Sequence, residues 1–224
     1  MSNPEFKKEF QEKYNSASYG APDLNNYEIS LWLTQAIRDV VLELYKTFEY
    51  SEFSKRGLNP LIKEQELTLS NASDYYGDVV AQEATLPSDI YFILQENAIL
   101  NNGCGDIDVM SEDLDNLNNT MKNPFRKPNK RKVIRTQIGD NNIRLYSDGG
   151  LTKFKIKYIK KYTPIILSDF TTDPDLLGSE TIDGLATESN TELPVFLHDR
   201  LVDRAVILAI KSLRENNLKT QIEV

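Results

Sequence analysis

The chain has one cysteine, one histidine and one tryptophan in 224 residues, and each scarcity removes a class of chemistry. A lone Cys104 excludes an intrachain disulfide and fits folding in a reducing compartment. With one histidine in the chain to activate it, Cys104 is expected to be a small buried residue, not a nucleophile. A zinc centre takes about four N or S ligands, which His198 and Cys104 cannot supply. His198 precedes Asp199, but adjacent helix positions do not face each other, so His198 is expected at a surface or interface. There is no Gly-rich phosphate loop, no G-x-S-x-G and no H-E-x-x-H. No run of about 18 apolar residues occurs, so no membrane span or membrane partner is expected. The opening "MSNPEFKKEF" lacks the apolar stretch of a secretory signal. No catalytic residue, metal or cofactor is expected, and no internal repeat or low-complexity tract is found.

Acids are plentiful, 34 against 26 basic residues, for a net charge of −8. "GDIDVMSEDLD" gathers Asp106, Asp108, Glu112, Asp113 and Asp115. The EF-hand order and its glycine are missing, so a solvated acidic edge is expected there, not a calcium site. A hydrolase working through two carboxylates is not removed by counting alone.

The positive charge is concentrated. Residues 122–162 hold thirteen of the 26 basic residues and two of the 34 acids, a local charge of +11 that leaves −19 elsewhere. Within it, "KNPFRKPNKRK" carries six basic residues, two prolines and one phenylalanine. Further on, "KFKIKYIKKY" alternates Lys153, Lys155 and Lys157 with Phe154, Ile156 and Tyr158. Period 2 puts the lysines on one strand face and the apolar residues on the other. That face suits phosphates, and equally the wet side of an antiparallel sheet. Single-strand binding favours aromatics interleaved on the basic face, and here they point away. A nucleic-acid-binding module using 122–161 is the alternative reading.

Helices are expected over 4–18, from Phe6, Phe10 and Tyr14 four apart, and over Tyr27–Phe48, capped by Asn25 or Asn26. A short helix is expected over 51–62. Strand signals follow in "QELTLS", "DVVAQEATLP", "IYFILQEN" and "GDIDVMS". A helical turn is expected at Pro87-Ser88-Asp89, and a short helix capped by Ser111 leads into the basic loop. Three strands come next, with hairpin turns expected at Asp140-Asn141-Asn142 and Asp148-Gly149-Gly150. "TPIILSD" reads as a strand end or edge. Residues 171–192 read as a long acidic loop of the kind that makes contacts elsewhere. A helix from Pro194 presents Leu197, Leu201, Val202, Ala205, Leu208, Ala209 and Leu213, and its last eleven residues are expected to fray. The expected fold is α+β: a helical bundle from the N- and C-terminal helices with a central antiparallel β-rich insertion. The expected parts are 1–62 helical, 63–170 β-rich, 171–192 loop and 193–224 closing helix.

One ordered series carries a resemblance: "NNYEISLWLTQAIRDVVLELY", "LPSDIYFILQEN", "KNPFRKP", "KYIKKYTPIIL" and "ELPVFLHDRLVDRAVILAI". Together they resemble the neck proteins of tailed bacteriophages, especially crAss-like phages of Bacteroidales bacteria. More distantly they are similar to the head-to-tail adaptors, which include tail tubular protein A and tail stabilisation proteins. The resemblance implies a structural virion protein, assembled in the host cytoplasm, that carries no catalytic residues. It implies a ring, commonly of about twelve copies, under heterologous contacts. The ring joins the portal protein to other neck or tail ring proteins and retains DNA, which passes through without sequence-specific binding. Partner-binding residues are then expected in the stiff loop, at Asn123, Pro124, Phe125, Arg126, Lys127, Pro128, Lys130, Arg131 and Lys132. Lys153, Lys155 and Lys157 join them, and Phe125 is the anchor candidate.

Overall fold

A computed structural model describes residues 1–18, 22–73, 76, 79–101, 105–172 and 180–222, with side chains described through 214. Cys104, and the packing expected for it, lie outside these residues, as does the 173–179 part of the acidic stretch. The chain divides into two compact units, Ile62–Lys161 and Met1–Leu61 with Tyr162–Val224. The expected bundle of terminal helices around an antiparallel insertion does not hold. The fold is α+β, but a curled eight-stranded sheet dominates the core, and the sheet is not wholly antiparallel.

The sheet comprises β1 (Ile62–Leu67), β2 (Ser70–Asn71), β3 (Val79–Thr85), β4 (Ile90–Leu100), β5 (Asp106–Ser111), β6 (Val133–Ile138), β7 (Asn142–Asp148) and β8 (Leu151–Lys160). Their order is β1-β8-β4-β5-β6-β7-β3-β2. One apolar cluster takes Leu67 from β1, Ala98 from β4, Leu145 from β7, Ala84 from β3 and Phe154, Ile156 and Tyr158 from β8. Strands far apart in the order share a core only because the sheet curls. A cavity of about 550 Å³ lined by Gln65, Glu66, Ser70 and Glu83 separates the two ends.

Two connections explain the departure from a plain meander. The turn Gly139-Asp140-Asn141 joins β6 to β7 as a hairpin, with Gly139 at φ +73°. Asp148-Gly149-Gly150 is not a hairpin, because β8 pairs with β1 and β4 and not with β7. Gly149 (φ +85°) and Gly150 (φ +86°) swing the chain across to β8 in a conformation that L side chains avoid. Asn101 Nδ2 donates to Gly149 O at 3.0 Å, and Gln82 Oε1 accepts from Leu151 N at 2.6 Å. These side chains stand in for the missing ladder bonds. The second connection is the return from β5 to β6, which pair in parallel. A parallel pair needs a crossover, usually a helix, and α4 (Leu114–Lys122) supplies it. Leu117 packs with Ala81, Ile134 and Tyr146 on the face of β3, β6 and β7. Asp113, not Ser111, is its N-cap, because Ser111 is still paired in β5. Pro87-Ser88-Asp89 makes one turn, with Ile90 N donating to Pro87 O, and does not start a helix.

In the other unit, α1 (Asn3–Ala17) buries Phe6, Phe10 and Tyr14, and α2 (Asn26–Lys46) buries Ile29, Leu33, Ile37, Val40 and Leu44. Asn25 caps α2 through a reciprocal pair: Glu28 N donates to Asn25 Oδ1 at 2.8 Å and Asn25 N to Glu28 Oε2 at 2.9 Å. A short α3 (Glu52–Leu58) follows. α5 (His198–Ile222) takes in the stretch expected to fray. Arg200 and Arg204 on α5 pair with Glu43 and Asp39 on α2, and Lys13 on α1 pairs with Asp203. Irregular chain, not helix, completes this unit. Ile165, Ile166, Phe170 and Ile182 are buried, and Ile166 bridges Ser189. Buried polar residues of the helices hold it. Asn3 Nδ2 donates to Ile166 O at 3.0 Å, and Leu167 N donates to Ser30 Oγ at 3.0 Å. Within 180–192, Ile182 and Ala186 pack with Ile166, Phe170 and Tyr27 of the same unit.

Candidate interaction surface

The loop from Asn123 to Lys132 closes the β5–β6 crossover, and its shape is fixed by two asparagines. Asn123 Oδ1 accepts from Phe125 N at 2.9 Å, while its carbonyl accepts from Arg126 N and Lys127 N. Asn129 Oδ1 accepts from Arg131 N at 2.8 Å, and Asn129 and Lys132 exchange both backbone bonds. Lys132 Nζ donates to Arg126 O at 2.8 Å, tying the two turns together. Pro128 is buried and Pro124 exposed. The result is a stapled loop, and it presents Phe125 at 91% exposure. A phenylalanine tucked into the core would have made this loop a mere connector. Here local Asx turns hold the backbone and leave the ring in solvent.

Arg126, Lys127, Lys130 and Arg131 are exposed and face no carboxylate at ion-pair distance among the described residues. The other basic residues of the segment behave differently. Lys153 lies 3.4 Å from Glu66 and Lys157 lies 3.6 Å from Glu64, both on β1. Arg144 pairs with Glu83 on β3, and Arg135 pairs with Glu96 on β4 at 3.1 Å. The lysine row sits on the wet face of β8 as the alternation predicts, with Phe154, Ile156 and Tyr158 buried beneath. Its charge is partly met within the sheet by a matching row of glutamates, which the sequence does not show because β1 lies about 90 residues away. The loop and the lysine row are therefore two surfaces, and the loop carries the uncompensated charge.

Glu96 and Arg135 form the buried pair. Both side chains are about one-tenth exposed. Burial pushes the Glu96 carboxyl above the ordinary carboxylate range, with Arg135 pulling the other way. Arg135 Nη2 donates to Ser111 Oγ at 3.0 Å, while Arg135 Nη1 meets no acceptor.

His198 corrects the sequence reading. It is buried, not at a surface. Nε2 donates to Leu193 O at 2.9 Å, which makes Nδ1 the acceptor, and Met1 N lies 2.7 Å from Nδ1. The ring packs on Phe6 at 5.0 Å between centroids. Burial lowers its pKa, the Leu193 contact opposing. On acidification the unfolded chain takes this proton first, so the contribution is complete above about pH 6.5 and is lost as pH falls below it. We expect a lower urea midpoint at pH 5.5 than at pH 7.5, and a smaller pH difference in His198→Gln. Equal pH differences in the two proteins would remove His198 from the account.

Among the described residues no three His, Cys, Asp or Glu side chains are placed to hold a metal ion, and no helix is long and apolar enough to cross a membrane. The arrangement is that of a shaped, exposed and positively charged loop. The chain belongs to the phage tail ring protein 3/4 family, whose model matches residues 1–221. It is 35% identical to "Ring protein 3" of Bacteroides phage crAss001, over 95% of this chain and 96% of that protein. It is 29% identical to "Ring protein 4/5" of the same phage, over 100% of this chain and 98% of that protein. The resemblance to crAss-like phage neck and tail proteins thus stands.

Proposed function

We propose that this chain is a structural subunit of the phage virion, one of about twelve copies in a neck ring that joins the portal to the tail and lets DNA pass. Family membership supports the ring and the virion location. The observation that supports work by contact is the stapled loop, with Phe125 in solvent and four cations without an ion pair among the described residues. Asn123, Pro124 and Pro128 shape that loop, and its order in the free chain lowers the entropy lost on docking. Phe125, Arg126, Lys127, Lys130, Arg131 and Lys132 are the contacts we assign, with Lys153, Lys155 and Lys157 as a secondary face. The nucleic-acid alternative draws on the same thirteen cations, of which four, Lys157, Lys153, Arg144 and Arg135, are already met by Glu64, Glu66, Glu83 and Glu96. Cryo-electron microscopy of purified virions is the test. The expected result is a ring of this chain around an axial channel between portal and tail. A particle that lacks the chain would end the proposal.

A further inference from the structure

The unit 62–161 is electrically neutral, but its halves are not. Residues 62–121 hold one base and twelve acids, a charge of −11, and residues 122–161 hold thirteen bases and two acids, a charge of +11. Four charges of each sign cancel inside the sheet through the four pairs described above. Two clusters are left over, and α4 separates them. At its N-terminal end stand Asp113 and Asp115, exposed and without an ion pair among the described residues. At its C-terminal end stands the basic loop.

Acids at a helix start and a lysine at its end stabilise the helix through its dipole. That accounts for Asp113, Asp115 and Lys122. It does not account for the apolar side chains. Met110 on β5 is 53% exposed and Leu114, the first residue of α4, is 56% exposed, both within the acidic cluster. Period 2 puts Met110 on the outward face of β5. Each cluster is thus an apolar contact rimmed by charge of one sign, which is the layout of a protein interface. The signs are opposite, and Phe125 is the counterpart of Met110 and Leu114. The nine residues of α4 span about 14 Å at 1.5 Å per residue. The Leu117 face packed on the sheet holds the clusters at that separation.

We propose that the basic loop of one copy docks on the acidic end of α4 in a second copy, with Phe125 seated against Met110 and Leu114. This rests on the reading of the chain as a ring subunit and names the contact between its copies. Two different patches meeting is a heterologous contact, which propagates head to tail and closes only when the rotation allows. Charge complementarity sets the register and makes the contact weaken with salt.

The test uses the full-length chain at low salt, followed by sedimentation velocity and native mass spectrometry across concentration. One variant reverses the loop (R126E/K127E/K130E/R131E) and another reverses the acidic end (D113K/D115K). Each alone should weaken self-association by at least about ten-fold. Mixing the two, or carrying both sets in one chain, should restore it. A second measurement does not depend on charge. In a Cys104→Ser background, Phe125→Cys together with Leu114→Cys should give an oxidative ladder beyond the dimer that neither single variant gives. Association lost in the loop variant but kept in the acidic-end variant would overturn the proposal, because the loop then docks elsewhere. So would a chain that stays monomeric and yields no ladder, or a ladder that stops at the dimer. The ring reading is judged separately by whether virions contain a ring of this chain, so the contact can fail while the ring stands.

Discussion

Replacing Glu96 with leucine is expected to destabilise the protein by about 3–5 kcal/mol, the cost of stranding a buried charge. The partner left behind is Arg135, whose side chain is about nine-tenths buried and already carries an Nη1 without an acceptor. A guanidinium cannot shed its proton at any ordinary pH. The reverse change is gentler. In Arg135→Met the stranded group is a carboxyl, which escapes its penalty by taking up a proton. We therefore expect Arg135→Met to cost about 1–3 kcal/mol near pH 5, and more as pH rises. The sign follows from linkage. Burial holds the folded-state pKa of Glu96 above its unfolded value, so the folded chain binds the proton more tightly. Stability is complete below about pH 4.3 and falls as pH rises through the folded value. Removing Arg135 steepens that fall. The double variant Glu96→Leu with Arg135→Met should recover most of the loss. Urea unfolding of the four proteins at pH 5 and pH 8 gives the whole cycle. A Glu96→Leu variant within about 1 kcal/mol of wild type would show that the pair is hydrated and not buried as a unit.

Phe154→Ala should cost about 3–5 kcal/mol, while Lys155→Ala, its immediate neighbour, should change stability by about 0.5 kcal/mol or less. The two residues sit on opposite faces of β8. Phe154 is fully buried and packs in the cluster that draws on nearly every strand. β8 lies between β1 and β4, so the cavity left by the ring would open under a strand paired on both edges. Neighbours tied into ladders on both sides collapse poorly into such a space. Lys155 projects from the other face, half-buried, with no ion pair among the described residues. Thermal and urea unfolding of both variants would check the contrast. Equal losses would mean that the strand is buried on both faces, contrary to its alternation.

The comparison of β8 with the loop shows what a local pattern carries. Alternation of Lys153, Lys155 and Lys157 with Phe154, Ile156 and Tyr158 assigned both faces of that strand correctly. It could not show that Glu64 and Glu66 lie across from the lysines, because pairing partners are chosen by the whole sheet. The loop was legible as stiff from Pro124 and Pro128, but Asn123 and Asn129 do as much of the shaping. Asp148-Gly149-Gly150 announced a turn, and the positive φ values agree. Which strand the chain then joins was not written locally. His198 was misread for a related reason: its acceptor Leu193 is near in sequence, but Phe6 reaches it from the other end of the chain.

By itself the sequence determined the helices with strong periodicity, a cap at Asn25 or Asn26, the two faces of β8 and the charge-rich loop. It also carried the ordered motifs that place the chain among phage ring proteins. All of these depend on residues within a few positions of one another, where side-chain spacing and φ preference act directly. Tertiary structure decided the strand order, the parallel β5–β6 pair, the burial of Glu96 with Arg135, and the irregular chain that completes the helical unit. Each of those joins residues far apart in the chain. Their outcome depends on which surfaces remain to be buried and which backbone groups remain to be paired once the local elements exist. The same closure left Arg126, Lys127, Lys130 and Arg131 without a carboxylate at ion-pair distance among the described residues.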